Sequence, residues 1–198
     1  FLSTPHTYDA VDFLDSLVPL YKVGSGDLTN IPLLKKISSK NKPVILSTGM
    51  STLQEIRDAL DVLHSKVILM HCTTSYPCPE KDVNLNAIKT LEKEFGCLVG
   101  YSDHTMGTKA FLMAAKLGAV VIEKHLTVDR KLKGPDHKSS IIRKEFRELI
   151  KKIRRLAKCF LNFQETWLKV SLQEHLSAKA YPISGKEIME NLILISRN

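Results

Sequence analysis

Short β-branched runs alternate with helical patterns along the first 160 residues, the signature of repeated βα units around a parallel sheet. The apolar runs predict strands over Phe1 to Thr4, Tyr21 to Ser25, Val44 to Thr48, Val67 to Cys72, Leu98 to Ser102 and Val120 to His125. Between them, apolar residues at helical spacing predict helices from Leu28 to Ser39, Leu53 to Leu63, Leu85 to Phe95, Lys109 to Leu117 and Arg143 to Phe160. Asn30-Ile31-Pro32 and Ser51-Thr52-Leu53-Gln54-Glu55 carry helix-start chemistry, and Gly118 marks a helix stop. Beyond Phe160 the pattern changes. Asn162 to Glu174 is polar with one Trp, and Leu176 to Asn198 holds short alternating runs around Pro182 and Gly185. This divides the chain into a barrel-like part (1–160), a linker (161–175) and the opening of a second small module (176–198).

A doubly wound sheet and a (β/α)8 barrel both give this alternation. They differ in where polar residues fall, because a barrel collects its functional groups at the carboxyl ends of many successive strands. Here nearly every strand ends in a polar set: Ser3-Thr4, Lys22 with Ser25 and Asp27, Ser47-Thr48, His71 with Thr73-Thr74, Tyr101 to His104, and Glu123 to His125. That ring favours the barrel, and no G-x-G-x-x-G follows a strand to favour a dinucleotide fold. A closed barrel needs eight strands. Six are legible, so the expectation is an α/β TIM-type barrel lacking about its first two βα units. The chain begins at Phe1 without a leader-like segment, which suggests a start inside a longer polypeptide.

Composition narrows the class. The 198 residues are 43% hydrophobic, with 29 Lys and Arg against 21 Asp and Glu, as expected of a globular domain. No apolar run approaches the roughly 20 residues of a membrane span. The excess positive charge lies between Arg130 and Lys158, where twelve Lys and Arg face three Asp and Glu. Ile142, Phe146, Leu149, Ile150, Ile153 and Leu156 recur there at helical spacing, so the charge reads as the solvated face of one amphipathic helix rather than a nucleic-acid surface. Cys72, Cys78, Cys97 and Cys159 form no C-x-x-C pair, which points to a reducing, cytoplasmic setting.

Two kinds of chemistry stand out. His104 and His125 close adjacent strands, so their imidazoles can converge on a divalent ion while leaving positions open for substrate. Lys22 lies within Leu20-Tyr21-Lys22-Val23, where a cation needs an anionic partner to offset desolvation. A substrate phosphate or carboxylate would serve, with Ser25, Ser47 and Ser102 as neutral donors; an outward-facing lysine paired to a helix carboxylate is the alternative. Asp27, Asp103, Asp136 and Glu123 are expected as carboxylates on the same face, with proton roles that spacing leaves open. His71 follows a wholly apolar run and reads more readily as a satisfied core histidine. His6, His64, His137 and His175 lack a strand-end context.

Six strings then occur in order: Lys22-Val23-Gly24-Ser25-Gly26-Asp27, Ile45 to Thr52, His71-Cys72-Thr73-Thr74-Ser75-Tyr76-Pro77, Gly100-Tyr101-Ser102-Asp103-His104-Thr105, Ile122-Glu123-Lys124-His125 and Gly134-Pro135-Asp136-His137. In order and spacing they closely resemble the N-acetylneuraminate (sialic acid) synthase family, over Phe1 to about Phe160. Ala178-Lys179-Ala180 and Ile183 to Ile188 resemble the start of that family's antifreeze-like domain. The resemblance implies condensation of phosphoenolpyruvate with N-acetylmannosamine or a related amino-sugar aldehyde, giving a nonulosonic acid and phosphate. It implies that His104 and His125 ligate Mn²⁺ or Mg²⁺, and that Lys22, Ser47 and Ser102 hold phosphoenolpyruvate with Ser25 close by. Asp27 would activate the water that attacks C2, and Tyr76 and Asp136 would contact the sugar. Thr74, also placed at the substrate, stands where some members carry Asn, and Arg197 is the one candidate for the antifreeze-like domain's arginine. The family pairs head to tail, so a homodimer is expected. An alternative reading is a truncated, catalytically inactive remnant that keeps substrate binding or an interaction surface only, since a barrel short of two strands has open sheet edges.

Overall fold

The computed structural model describes residues 1–156 and the backbone of 193–197. Five strands and five helices alternate first: α1 (Tyr8–Asp15), β1 (Tyr21–Val23), α2 (Ile31–Ser38), β2 (Val44–Ser47), α3 (Leu53–Val62), β3 (Val67–His71), α4 (Ala87–Phe95), β4 (Leu98–Asp103), α5 (Lys109–Lys116) and β5 (Ile122–Thr127). A two-residue strand β6 (Ile141–Ile142), a helix α6 (143–156 of the described residues) and β7 (Ile193–Arg197) follow. All pairings are parallel, in the sequential order β1-β2-β3-β4-β5-β6, and β7 also pairs β5. Sequential parallel strands, with a helix in each return from β1 to β5 and a loop from β5 to β6, form the arc of a (β/α)8 TIM-type barrel. The expected linker (161–175) and most of the expected second module (176–198) lie outside the described residues.

The helix starts follow the capping chemistry in the sequence. The Asn30 side chain accepts the Leu33 amide at the head of α2, with Pro32 in the first turn. Thr52 and Glu55 close a reciprocal capping box at α3, each side chain accepting the other's backbone N–H. Gly118, at φ +95°, takes the left-handed position just past α5. The basic face of α6 is solvated: Arg143, Lys144, Arg147, Lys151, Lys152, Arg154 and Arg155 are exposed, while Leu149 is buried and Phe146 and Ile153 pack on the core.

Strand parity sorts the side chains into two layers. Tyr21, Val23, Val44, Leu46, Leu69, Val99, Tyr101 and Ile122 face the helices and join the main core with Val11, Leu33, Leu34, Ile37, Ile56, Ile88 and Phe111. Ile45, Met70 and Val121 form a small separate cluster on the concave face. That cluster is the apolar floor of the site.

Three expectations change. Residues 1–6 form no strand, because β2 is the only neighbour of β1 among the described residues and a strand exists only through its ladder. β1 stops at Val23, and Ser25–Asp27 turn into a single 3₁₀ turn. β6 went unforeseen, since two residues are too short to display a period of two. Cys72, Cys78 and Cys97 are free thiols, as their spacing implied; Cys159 lies outside the described residues. Among the described residues no helix is long and apolar enough to cross a membrane.

Candidate active site

The concave-face positions step by two up each strand, from the apolar floor to the carboxyl ends. Above Ile45 comes Ser47; above Met70 comes Cys72; above Gly100 come Ser102 and His104; above Val121 come Glu123 and His125; Lys22 projects from β1. The Lys22 ammonium donates to Ser47 Oγ at 2.7 Å and to the Val23 carbonyl at 3.3 Å, and lies 3.8 Å from Glu123. Ser102 Oγ donates to Glu123 Oε1 at 2.6 Å and sits 3.3 Å from His104 Nε2. Lys22 is therefore neither outward-facing nor paired to a helix. Its counter-charge comes from Glu123 on β5, four strands along the sheet, reached across the concave face.

The two imidazoles stand at the rim of this polar floor, their ring centroids 5.4 Å apart at 68°. His104 Nδ1 is 2.8 Å from the Thr73 carbonyl, which fixes that nitrogen as the N–H and leaves Nε2 with its lone pair. Burial pushes both histidines below the ordinary imidazole range. At His104 the Thr73 carbonyl only partly offsets this, and at His125 the offsets are Asp136 and Glu123. Both rings are thus neutral at pH 7, the form a metal requires. Asp136 Oδ2 lies 3.9 Å from His125 Nδ1. Tyr76 leans over both rings, with centroids 4.2 Å from His104 and 5.6 Å from His125. Its phenol is pushed up to about 12, chiefly by burial, and stays protonated.

A second lobe adjoins Lys22. Ser25 Oγ accepts the Gly49 amide at 3.0 Å and lies 3.2 Å from Cys72 Sγ. Gly49 is needed there, since a Cβ would fall 2.5 Å from Thr74 Oγ1 and 2.9 Å from both Cys72 Sγ and Ser25 Oγ. Burial raises the Cys72 thiol above its ordinary range, so it packs as a neutral group rather than a nucleophile.

Lys22, Ser25, Ser47, Thr74, Tyr76, Ser102, His104, His125 and Asp136 are thereby grouped at one end of the sheet. Asp27 stands apart from their hydrogen bonds, with His6 Nδ1 at 2.8 Å and Asn30 Nδ2 at 3.3 Å from its carboxylate. Asp103 corrects an expectation: it points to the helix side and pairs with Lys124, because parity places it opposite Ser102 and His104. His71 is a satisfied core histidine, its Nε2 on the Val83 carbonyl at 2.8 Å. Cys72 and Gly49 gained no role from the sequence, whereas Glu123, expected on this face with its role open, lies beside Ser102 and Lys22. For Glu123 the usable signal was its two-residue offset from His125.

Among the described residues no three His, Cys, Asp or Glu side chains converge as a metal cage. The two neutral imidazoles, one anchored through Nδ1, suit a divalent ion that takes its other ligands from water and substrate oxygens.

Residues 1–164 match the NeuB family. The chain belongs to that family. Among its relatives, the N,N'-diacetyllegionaminic acid synthase of Campylobacter jejuni is 48% identical over 165 residues, covering 80% of this chain and 49% of that protein. The human N-acetylneuraminate-9-phosphate synthase is 39% identical over 150 residues, covering 73% of this chain and 42% of that protein. The chain therefore spans about half the length of the curated relatives it matches. In three dimensions it resembles the sialic acid synthetase of Leptospira borgpetersenii, solved with citrate, at TM-score 0.76 and 34% identity, covering 90% of this chain and 65% of that one. A 3-deoxy-D-arabino-heptulosonate 7-phosphate synthase from Thermotoga maritima, 20% identical at TM-score 0.64, shares the fold.

Proposed function

We propose that this chain carries the anion- and metal-binding face of a nonulosonic acid synthase. That enzyme condenses phosphoenolpyruvate with N-acetylmannosamine or a related amino-sugar aldehyde and releases phosphate. The observation that carries the reading is Lys22. A buried ammonium, 2.7 Å from Ser47 and only loosely neutralised by Glu123 at 3.8 Å, faces the same space as two neutral imidazoles. A dianionic substrate supplies the compensation that Glu123 gives incompletely.

In this scheme Lys22, Ser47, Ser102 and Ser25 hold phosphoenolpyruvate with C3 turned toward the aldehyde. Tyr76, Asp136 and Thr74 orient the amino sugar. His104 and His125 hold Mn²⁺ or Mg²⁺, which when bound polarises the aldehyde oxygen. Asp27, steadied by His6 and Asn30, accepts a proton from the water that adds at C2 as the new carbon–carbon bond is completed, and phosphate then departs. The names of the relatives, two acting in sialic and legionaminic acid synthesis, support the product class. The unpaired thiols suit the reducing cytoplasm.

Phosphate release by the protein with phosphoenolpyruvate, N-acetylmannosamine and Mn²⁺, beside the His104→Ala/His125→Ala variant, tests the proposal. Release that needs both substrates and disappears in the variant supports it. A folded protein that releases no phosphate with any amino-sugar aldehyde sinks it and leaves a binding remnant.

A further inference from the structure

The backbone ladder between β4 and β5 has three rungs: Tyr101↔Ile122, Ser102↔Glu123 and Asp103↔Lys124. His104 and His125 each come one residue after the last rung, so no β4–β5 backbone pairing fixes their separation. Side chains take over at this point. On the concave face Ser102 bonds Glu123. On the helix face Lys124 Nζ donates to Asp103 Oδ2 at 2.9 Å, and both side chains are 0% exposed.

The pair reaches beyond its own rung. Asp103 Oδ1 accepts the Thr105 amide at 2.9 Å and the Thr105 hydroxyl at 2.8 Å, and Lys124 Nζ also donates to the Thr105 carbonyl. The backbone immediately after His104 is thereby bound to the side chain immediately before His125. A buried ion pair contributes little net stability beside an apolar pair of equal volume, so stability alone does not account for it. Specifying an arrangement does.

We infer that Asp103, Lys124 and Thr105 form a clamp that sets the spacing and orientation of the His104 and His125 imidazoles; the three are positioning residues that touch no substrate. This deepens the proposed metal site and rests on it. A one-residue slip of β5 against β4 would exchange the two faces and turn Lys124 into the site in place of His125. The clamp opposes that slip at the end of the ladder, where backbone pairing no longer does.

The test measures Mn²⁺ affinity by electron paramagnetic resonance in the full-length protein, for wild type, Lys124→Met and Asp103→Leu/Lys124→Met. Leu34→Ala, a core cavity remote from the site, serves as a control, and thermal melts run in parallel. The double substitution removes both charges and leaves neither buried alone, so it stays folded where the single substitution fails. The clamp predicts Mn²⁺ binding weakened about 10- to 100-fold in the double variant even when its melting temperature matches wild type, with Leu34→Ala binding normally. Thr105→Val, which loses only one donor to Asp103, weakens binding less. A folded double variant with wild-type Mn²⁺ affinity overturns the inference. Wild type that binds no Mn²⁺ overturns the metal reading instead. The clamp is then judged from the imidazole ¹⁵N signals of His104 and His125, which move in Asp103→Leu/Lys124→Met if the clamp exists and stay in place if it does not.

Discussion

Gly49→Ala separates packing from chemistry. The added methyl would lie 2.5 Å from Thr74 Oγ1 and 2.9 Å from both Cys72 Sγ and Ser25 Oγ, closer than real carbon contacts allow. Every obstructing atom is the end of a rotatable side chain, so the backbone need not move. Overpacking of a tight site costs about 1–3 kcal/mol, and yielding side chains place this case near about 1 kcal/mol. The displacement itself is the larger consequence. Ser25 must release the Gly49 amide it accepts at 3.0 Å, and Thr74 must swing away, both from the lobe proposed to receive substrate.

Loss of one or two neutral hydrogen bonds is worth about 0.5–1.5 kcal/mol each. The expected outcome is an approximately tenfold rise in KM for phosphoenolpyruvate, equivalent to about 1.4 kcal/mol, with a small fall in the urea midpoint. Steady-state phosphate release over a range of phosphoenolpyruvate concentrations reads the first quantity, and equilibrium denaturation the second. A variant with wild-type KM for both substrates and a lowered midpoint would refute the placement of Ser25 and Thr74 beside the substrate, leaving that lobe as packing only.

Three further outcomes are expected. Gly100→Ala places a methyl 2.5 Å from the Val121 carbonyl, backbone that accepts the Tyr101 amide, so a urea melt registers a loss of about 3 kcal/mol; a loss under ~1 kcal/mol contradicts the close strand approach. Lys22→Met weakens phosphoenolpyruvate binding about 10- to 100-fold, the worth of a charge-assisted hydrogen bond, and calorimetric titration giving unchanged affinity removes Lys22 from the anion site. Burial holds His71 below the ordinary imidazole value of 6.5, so the unfolded chain protonates first. That contribution to stability is complete above about pH 6.5 and is lost as pH falls through the lower folded value. Urea midpoints therefore drop between pH 7.5 and 5.5, and drop less in His71→Gln; an equal drop in the variant shows that another group is responsible.

What could be read from the chain follows the range of the forces involved. β2 and β3 were legible because a parallel strand covered on both sides is a continuous apolar run, and in β4 and β5 a shorter apolar stretch leads into the polar residues that mark the site. Phe1 to Thr4 has the composition of a strand and lacks a ladder, a non-local requirement that no local pattern encodes. Lys22, Ser47, Ser102, His104 and His125 were found from their strand-end positions, and the structure groups them. Asp103 lies between two site residues in sequence but on the opposite face in space, since counting by two from His104 excludes it from the concave side. The His6–Asp27 contact spans 21 residues and leaves no local trace.

The same parity explains why Ser102-Asp103-His104 and Glu123-Lys124-His125 stand out as strings. In each, the outer residues face the concave site and the middle one faces the helices. Ser102 meets Glu123 on one side of the sheet, Asp103 meets Lys124 on the other, and the two histidines come next, where backbone pairing between β4 and β5 has ended. A middle residue with no proposed contact to substrate is then as constrained as its neighbours, because replacing it alone strands a charge in the dry layer behind the site. Chemistry and its support alternate residue by residue along one pair of strands. A change on the helix face is therefore expected to be read out on the concave one.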